Sequence, residues 1–148
     1  MFKASLLDVY CHCVAGSGHY IEMAKTDKAA GKKARLISPY MNTTDRCLEL
    51  YYWIRAADNH ADRDRNRTQL SLIAVSEDLN ETTLASVTAS TVDFIRLFVT
   101  LPTGLHRLVI EGRRDSLKLQ CSISIDDIAV MGCNRFGMFM IFSYKSVH

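Results

Sequence analysis

The chain has no strong excess of charge of either sign: eighteen lysines and arginines stand against sixteen aspartates and glutamates, a formal charge of +2 over 148 residues. That removes the field with which nucleic-acid-binding proteins and basic membrane-surface proteins gather a polyanion, so no nucleic-acid partner is expected. Long apolar runs are missing too. The longest lies near Met138 to Phe142, far short of the roughly 20 residues that cross a bilayer, and this chain carries no transmembrane segment. The N-terminus, MFKASLLDVYCHCVAG, has one lysine and a short apolar stretch that Asp8 interrupts. A secretory signal needs an apolar core of ~7–15 residues, and none is visible. No segment keeps a helical period over three turns. The five histidines are scattered, and neither a His-Glu-x-x-His pair, a G-x-S-x-G elbow nor a phosphate-binding P-loop is present, so nothing announces an enzyme.

Cysteine is present in an odd number, five, which excludes complete pairing within one chain. Cys11-His12-Cys13 has a one-residue gap and no second Cys/His pair follows it, so a structural zinc site is not expected. Proline is sparse: Pro39 and Pro102 both fall at expected strand ends.

What remains is a chain of ordinary apolar content, 48%, long enough for one domain with a proper core. Its apolar residues follow one another in short alternating or continuous runs parted by polar loops, the pattern of an all-β protein. Seven strands are expected, at 20–24, 34–41, 47–56, 70–75, 97–101, 106–112 and 122–131. In the third, Leu48, Leu50, Tyr52 and Ile54 share the face expected to be core, and Glu49, Tyr51, Trp53 and Arg55 the other. The segment ADNHADRDRNRT, with its alternating Asp and Arg, reads as a solvated loop. SEDLNETTLASVTASTVD, dense in Ser and Thr, reads as a loop or irregular edge. Pro102-Thr103-Gly104 reads as a tight connection. Seven short strands at this spacing suggest a β-sandwich of two antiparallel sheets, of jelly-roll type.

Three N-glycosylation sequons, at Asn42, Asn66 and Asn80, lie in polar, turn-like surroundings and point outside the cell. Tyr51 and Trp53 form an aromatic pair on the outer face of the third strand, suited to a protein partner or to stacking on a sugar ring; the competing expectation is that another layer covers them. Arg113 and Arg114 flank a turn beside Glu111 and Asp115, where they meet either an acidic partner or only solvent. In LQCSISIDDIAVMGC, residues 119–133, Asp126 and Asp127 interrupt an otherwise alternating strand. Two adjacent carboxylates there bind a cation, cap neighbouring backbone, or face water at a sheet rim.

Four blocks together, GHYIEMA (18–24), KARLISPYM (33–41), CLELYYWI (47–54), and HRLVIEGRRDS through SISIDDIAVMGC (106–133), resemble in order and spacing the MAM domain, named for meprin, neuropilin and receptor tyrosine phosphatases of the mu type. The resemblance covers 18–133 and implies a jelly-roll sandwich. It lacks the family's opening segment with its first cysteine pair, has Phe94 where the family has a tryptophan and Cys121 where it has a glycine, and leaves 1–17 and 134–148 as atypical flanks. By position it implies a disulfide between Cys47 and Cys133, worth on the order of 4 kcal/mol by loop-closure entropy. Some members of that family hold a calcium ion at this place, which makes calcium at Asp126 and Asp127 the alternative to a solvated or backbone-capping role, with Glu22 as the candidate for a second ligand. The function implied is an extracellular or cell-surface, non-enzymatic adhesion or oligomerisation module of a larger membrane or secreted protein, with a protein partner or a second copy of itself. Two alternatives are a carbohydrate-binding jelly roll using Tyr51, Trp53 and calcium, and a non-catalytic fragment of a secreted metalloprotease.

Overall fold

The computed structural model describes residues 3–5, 9–13, 19–23, 33–55, 68–88, 91–113 and 122–136. These form strands β1 (Lys3–Ser5), β2 (Val9–Cys13), β3 (His19–Met23), β4 (Lys33–Ile37), β5 (Met41–Asn42), β6 (Arg46–Arg55), β7 (Gln69–Ser76), β8 (Glu81–Val87), β9 (Ile95–Thr100), β10 (Leu105–Arg113) and β11 (Ser122–Gly132), closed by a 3-10 turn, Cys133–Phe136. One antiparallel sheet runs β1-β4-β10-β7-β8, with β5 also paired to β10; the other runs β2-β3-β11-β6-β9. The two are the layers of the expected jelly-roll-like sandwich.

Period-two alternation assigns the interior. Leu48, Leu50, Tyr52 and Ile54 from β6 meet Ile123 and Ile125 from β11 within one sheet; Leu70, Leu72, Ala74, Leu108, Ile110, Ala34 and Leu36 face them from the other. The face of β6 expected to be core is core, and Leu48 and Leu50 are completely buried. Burial of each such leucine contributes about 1.5–3 kcal/mol. β7 is different: Leu70 to Val75 is buried without a break. Its second face, with Ile73 and Val75, joins Val109 and Ile37 in a separate apolar cluster.

Three differences from the sequence expectations have physical causes. The strand expected at 34–41 is two strands, because Pro39 has no N–H to give β10. Ser38 bridges the break: its N–H donates to Leu108 O at 2.9 Å, and its hydroxyl takes the Leu108 N–H at 2.8 Å. The polar segment expected to be loop contains β8. Its Glu81, Thr82 and Thr83 are exposed, while Leu84, Ala85 and Val87 pack on the core, so a half-wet edge strand carried the composition of a loop. Finally, β1 and β2 lie before Gly18, where the sequence places only a flank; β1 pairs with β4 and β2 with β3.

Pro102 to Gly104 connects β9 to β10, crossing from one sheet to the other. Gly104, at φ 115°, takes a conformation that side chains resist, and its carbonyl accepts the Thr43 N–H at 2.8 Å. Arg46 O takes the Leu101 N–H at 2.9 Å, which locks the crossover onto the start of β6.

Candidate functional site

The acidic pair of β11 sits at a bulge. Asp126 is opposite Tyr51 and Ala129 opposite Glu49, so Asp127 and Ile128 together face one residue of β6. The extra residue needs an unusual backbone, and Asp127 adopts φ 49°. Aspartate tolerates that region better than most residues because its short side chain bonds locally. Here the local bond comes from its neighbour: Asp126 Oδ1 accepts the Asp127 N–H at 2.8 Å. Backbone capping therefore accounts for one carboxylate, and Asp127 itself is exposed. Calcium takes six to eight oxygens. Among the described residues no group of three or more His, Cys, Asp or Glu is disposed to hold a metal ion. Glu22, the expected second ligand, has its backbone opposite Ser124; its side chain is outside the described residues.

Cys47 and Cys133 form a disulfide with Cα atoms 5.2 Å apart, joining positions 86 residues distant in the chain. Cys47 is paired with Met131 of β11, so the bond staples the two central strands of the five-stranded sheet at one end. Cys133 N–H also donates to Asp45 O at 3.1 Å.

From that staple, the outer face of the sheet runs along alternate residues of β6: Glu49, Tyr51, Trp53. On β9 their partners are Phe98 and Arg96, and Phe94 precedes the strand. Arg96 Nη2 is 2.9 Å from Glu49 Oε2, and its guanidinium carbon lies 5.4 Å from the Phe98 ring centroid. The hydrogen bond that Arg96 donates to the Glu49 carboxylate outweighs the desolvation of a mostly exposed group and holds Arg96 more firmly charged than usual. Trp53 packs its ring on Phe94 at 5.7 Å with a 53° tilt, and its Nε1–H donates to Thr91 O at 3.2 Å. Tyr51 and Trp53 are thus half-buried, with the 91–94 segment against Trp53. Phe98 is 39% exposed and Ile95, on the strand's other face, 45%. Phe94, Arg96, Phe98 and Glu49 were not among the expected site residues. The alternation of 94, 96 and 98 was a visible signal, but the expected strand began only at Leu97.

The outer face of the six-stranded sheet is closed instead. Glu111, 6% exposed, takes Lys33 Nζ at 2.9 Å and Arg35 Nε at 2.6 Å, and Arg35 Nη1 continues across β10 and β7 to Glu81 at 3.0 Å. Ile73, Val75 and Val109 lie on those intervening strands, buried at the same face. Burial alone raises the Glu111 carboxyl, but hydrogen bonds and charge from Lys33 and Arg35 outweigh it and hold the group below its ordinary range. Arg35 loses some of its charge preference to desolvation and regains more from Glu81 and Glu111. At the end of this sheet, Arg107 lies over Tyr40 at 5.5 Å.

The remaining expected site residues fall apart in space. Asn42 is exposed on β5, where its Oδ1 accepts the Thr44 N–H at 3.0 Å, and Asn80 is exposed at the β7–β8 turn. Both belong to the six-stranded sheet, at the end where β10 begins. Arg113 is half-buried at the far end of β10, opposite Lys33 and Gln69. Asn66, Arg114 and Cys121 lie outside the described residues, as do the Asp/Arg-rich loop and the tail after 136. Among the described residues no helix is long and apolar enough to cross a membrane.

Three solved structures are similar to this chain. A family 29 carbohydrate-binding module, solved with cellulohexaose, matches with a TM-score of 0.55 at 8% identity, over 89% of this chain and 80% of that one. A family 16 carbohydrate-binding module matches at 0.47 and 10% identity, over 79% of each chain. A cleaved adhesin domain of Lys-gingipain matches at 0.47 and 14% identity, over 82% of this chain and 76% of that one. No curated protein sequence matches the chain. The family model of the MAM domain, meprin/A5/mu, matches residues 8–134, taking in strands β2 to β11, the disulfide and the bulged acidic strand, and the chain belongs to that family.

Proposed function

We propose that this domain is an extracellular, non-enzymatic module through which a larger membrane or secreted protein adheres or oligomerises, and that it meets its protein partner with the outer face of the five-stranded sheet. The observation that carries this reading is the half-open strip of Tyr51, Trp53, Phe94, Arg96 and Phe98. Aromatic residues and arginine are the types enriched where proteins meet. Family membership supports an extracellular setting, and a disulfide persists in that oxidising environment. Glycans on Asn42 and Asn80 fit the same picture, because both sequons belong to the closed sheet and leave the open strip clear.

Carbohydrate binding is the second reading. An aromatic strip on a sandwich face suits a sugar ring, and the most similar fold by TM-score of those above comes from a module solved with cellulohexaose. The tilt of Trp53 against Phe94 and the bond from its Nε1 to Thr91 favour the protein partner, since that ring is already engaged on one side. Beads coated with the chain, assayed for adhesion to each other and to cell monolayers, separate the two. Adhesion abolished by protease treatment of the monolayer, and unaffected by soluble oligosaccharides, supports the protein-binding reading. Adhesion that survives protease and is competed by oligosaccharide establishes the other.

A further inference from the structure

Among the described residues each sheet has an edge on the side where β8 and β9 lie, and the two edges are built differently. β8 is bulged, its register slipping between Leu72 and Ile73 of its partner, and it presents exposed Glu81, Thr82 and Thr83. A bulge and a charge are two of the devices that stop an edge from pairing with another chain. β9 has neither device in effective form. Its six pairs with β6 run without a slip. It contains no proline or lysine, and Arg96 is turned onto Glu49. Exposed apolar side chains line it: Val92 is fully exposed just before the strand, Ile95 45% and Phe98 39%.

We infer that β9 pairs antiparallel with β9 of a second copy of this chain, joining two five-stranded sheets into one continuous sheet. The strand Ile-Arg-Leu-Phe-Val-Thr is complementary to itself about Leu97. A two-fold axis there sets Leu97 against its copy, Ile95 against Val99, and Arg96 against Phe98, twice. The first two pairings join the apolar inner faces, and the third places a cation over an aromatic ring on the outer face. An isologous contact of this kind uses the β9 edge of both copies and closes as a dimer. A five-residue pairing buries little area, so the dimer is weak and reversible. The joined outer faces double the strip proposed above as the adhesive surface; the inference rests on that reading for its purpose only, and on β9 for the pairing itself.

Sedimentation velocity of the full chain over a range of concentrations tests it, together with hydrogen exchange read peptide by peptide. A concentration-dependent dimer is expected, with exchange in 95–100 slowing as the chain is concentrated and exchange in 81–87 unchanged. Ile95→Lys with Phe98→Lys raises the dissociation constant by about tenfold or more, while Leu79→Lys, at a site 66% exposed on the β7–β8 turn, leaves it alone. A dimer indifferent to the edge variant, or exchange in 95–100 that ignores concentration, overturns the pairing. A monomer that still adheres to cells overturns the pairing and leaves the adhesion reading standing; a dimer that adheres to nothing does the reverse.

Discussion

The two outer faces of this sandwich begin from the same problem, strands whose alternate residues have no layer above them among the described residues, and solve it in opposite ways. On the six-stranded sheet apolar residues occupy those positions, and ion pairs span them: Arg35 runs from Glu111 to Glu81 past buried Ile73, Val75 and Val109. On the five-stranded sheet the positions hold aromatics with the Arg96–Glu49 ion pair among them, and they stay half-open. The first arrangement uses its charges internally and has little left to offer a partner. The second keeps arginine, aromatic rings and a carboxylate where another surface can reach them. The disulfide joins β6 to the turn after β11 in the five-stranded sheet, so the sheet with the half-open face is the one stapled covalently.

The largest test of that division is the staple. Replacing Cys47 and Cys133 together by alanine releases a closed loop of 86 positions, and the loss is on the order of 4 kcal/mol in urea unfolding. A loss near zero means the open face holds itself together unaided. Next comes one substitution applied to both faces. Glu111→Gln costs about 2 kcal/mol, because it removes the shared acceptor of two cations at a buried site whose partners are themselves partly solvated. Glu49→Gln on the open face costs less than about 0.5 kcal/mol. Equal costs erase the distinction between a closed and an open face.

Acidification sharpens the same comparison. The folded-state Glu111 carboxyl is held below its ordinary value. Its contribution is therefore complete above the unfolded-state value, about 4.3, and disappears as pH falls through the lower folded-state value. Stability measured down that window declines in the wild type, and the decline is shallower in Glu111→Gln. The last comparison concerns the bulge at the border of the open strip. Asp127→Gly suits φ 49° and changes stability by less than about 0.5 kcal/mol, whereas Asp127→Val costs about 1–2 kcal/mol, a β-branched residue being strained there. Calcium is the separate arm: if adding it raises the melting temperature and Asp127→Gly removes that rise, the pair holds a cation as well as a bulge.

Much of this architecture was legible in the sequence. Alternation along Cys47 to Ile54 named the core face of β6 residue by residue, and the ordered blocks carried both the family and the Cys47–Cys133 bond. Alternation failed at β8, whose exposed Thr and Glu imitate a loop, and at Pro39, where one apolar run hides two strands. The acidic pair was conspicuous, yet its bulge depends on pairing with β6, more than 70 positions earlier in the chain. The roof over the closed face was out of reach for the same reason: Arg35 and Glu111 are 76 positions apart, and each looks like an ordinary surface charge. Local pattern reports which side of a strand is buried. It does not report which distant charge lies beside it.

The most direct measurement compares the faces in one adhesion assay. Beads carrying Tyr51→Ala with Arg96→Glu, and beads carrying Lys33→Ala with Glu81→Ala, are set against wild type, with thermal melting confirming that each is folded. Adhesion lost in the first and retained in the second is the result predicted for an open five-stranded face. Adhesion retained in the first and lost in the second contradicts it and moves the working surface to the sheet described here as closed.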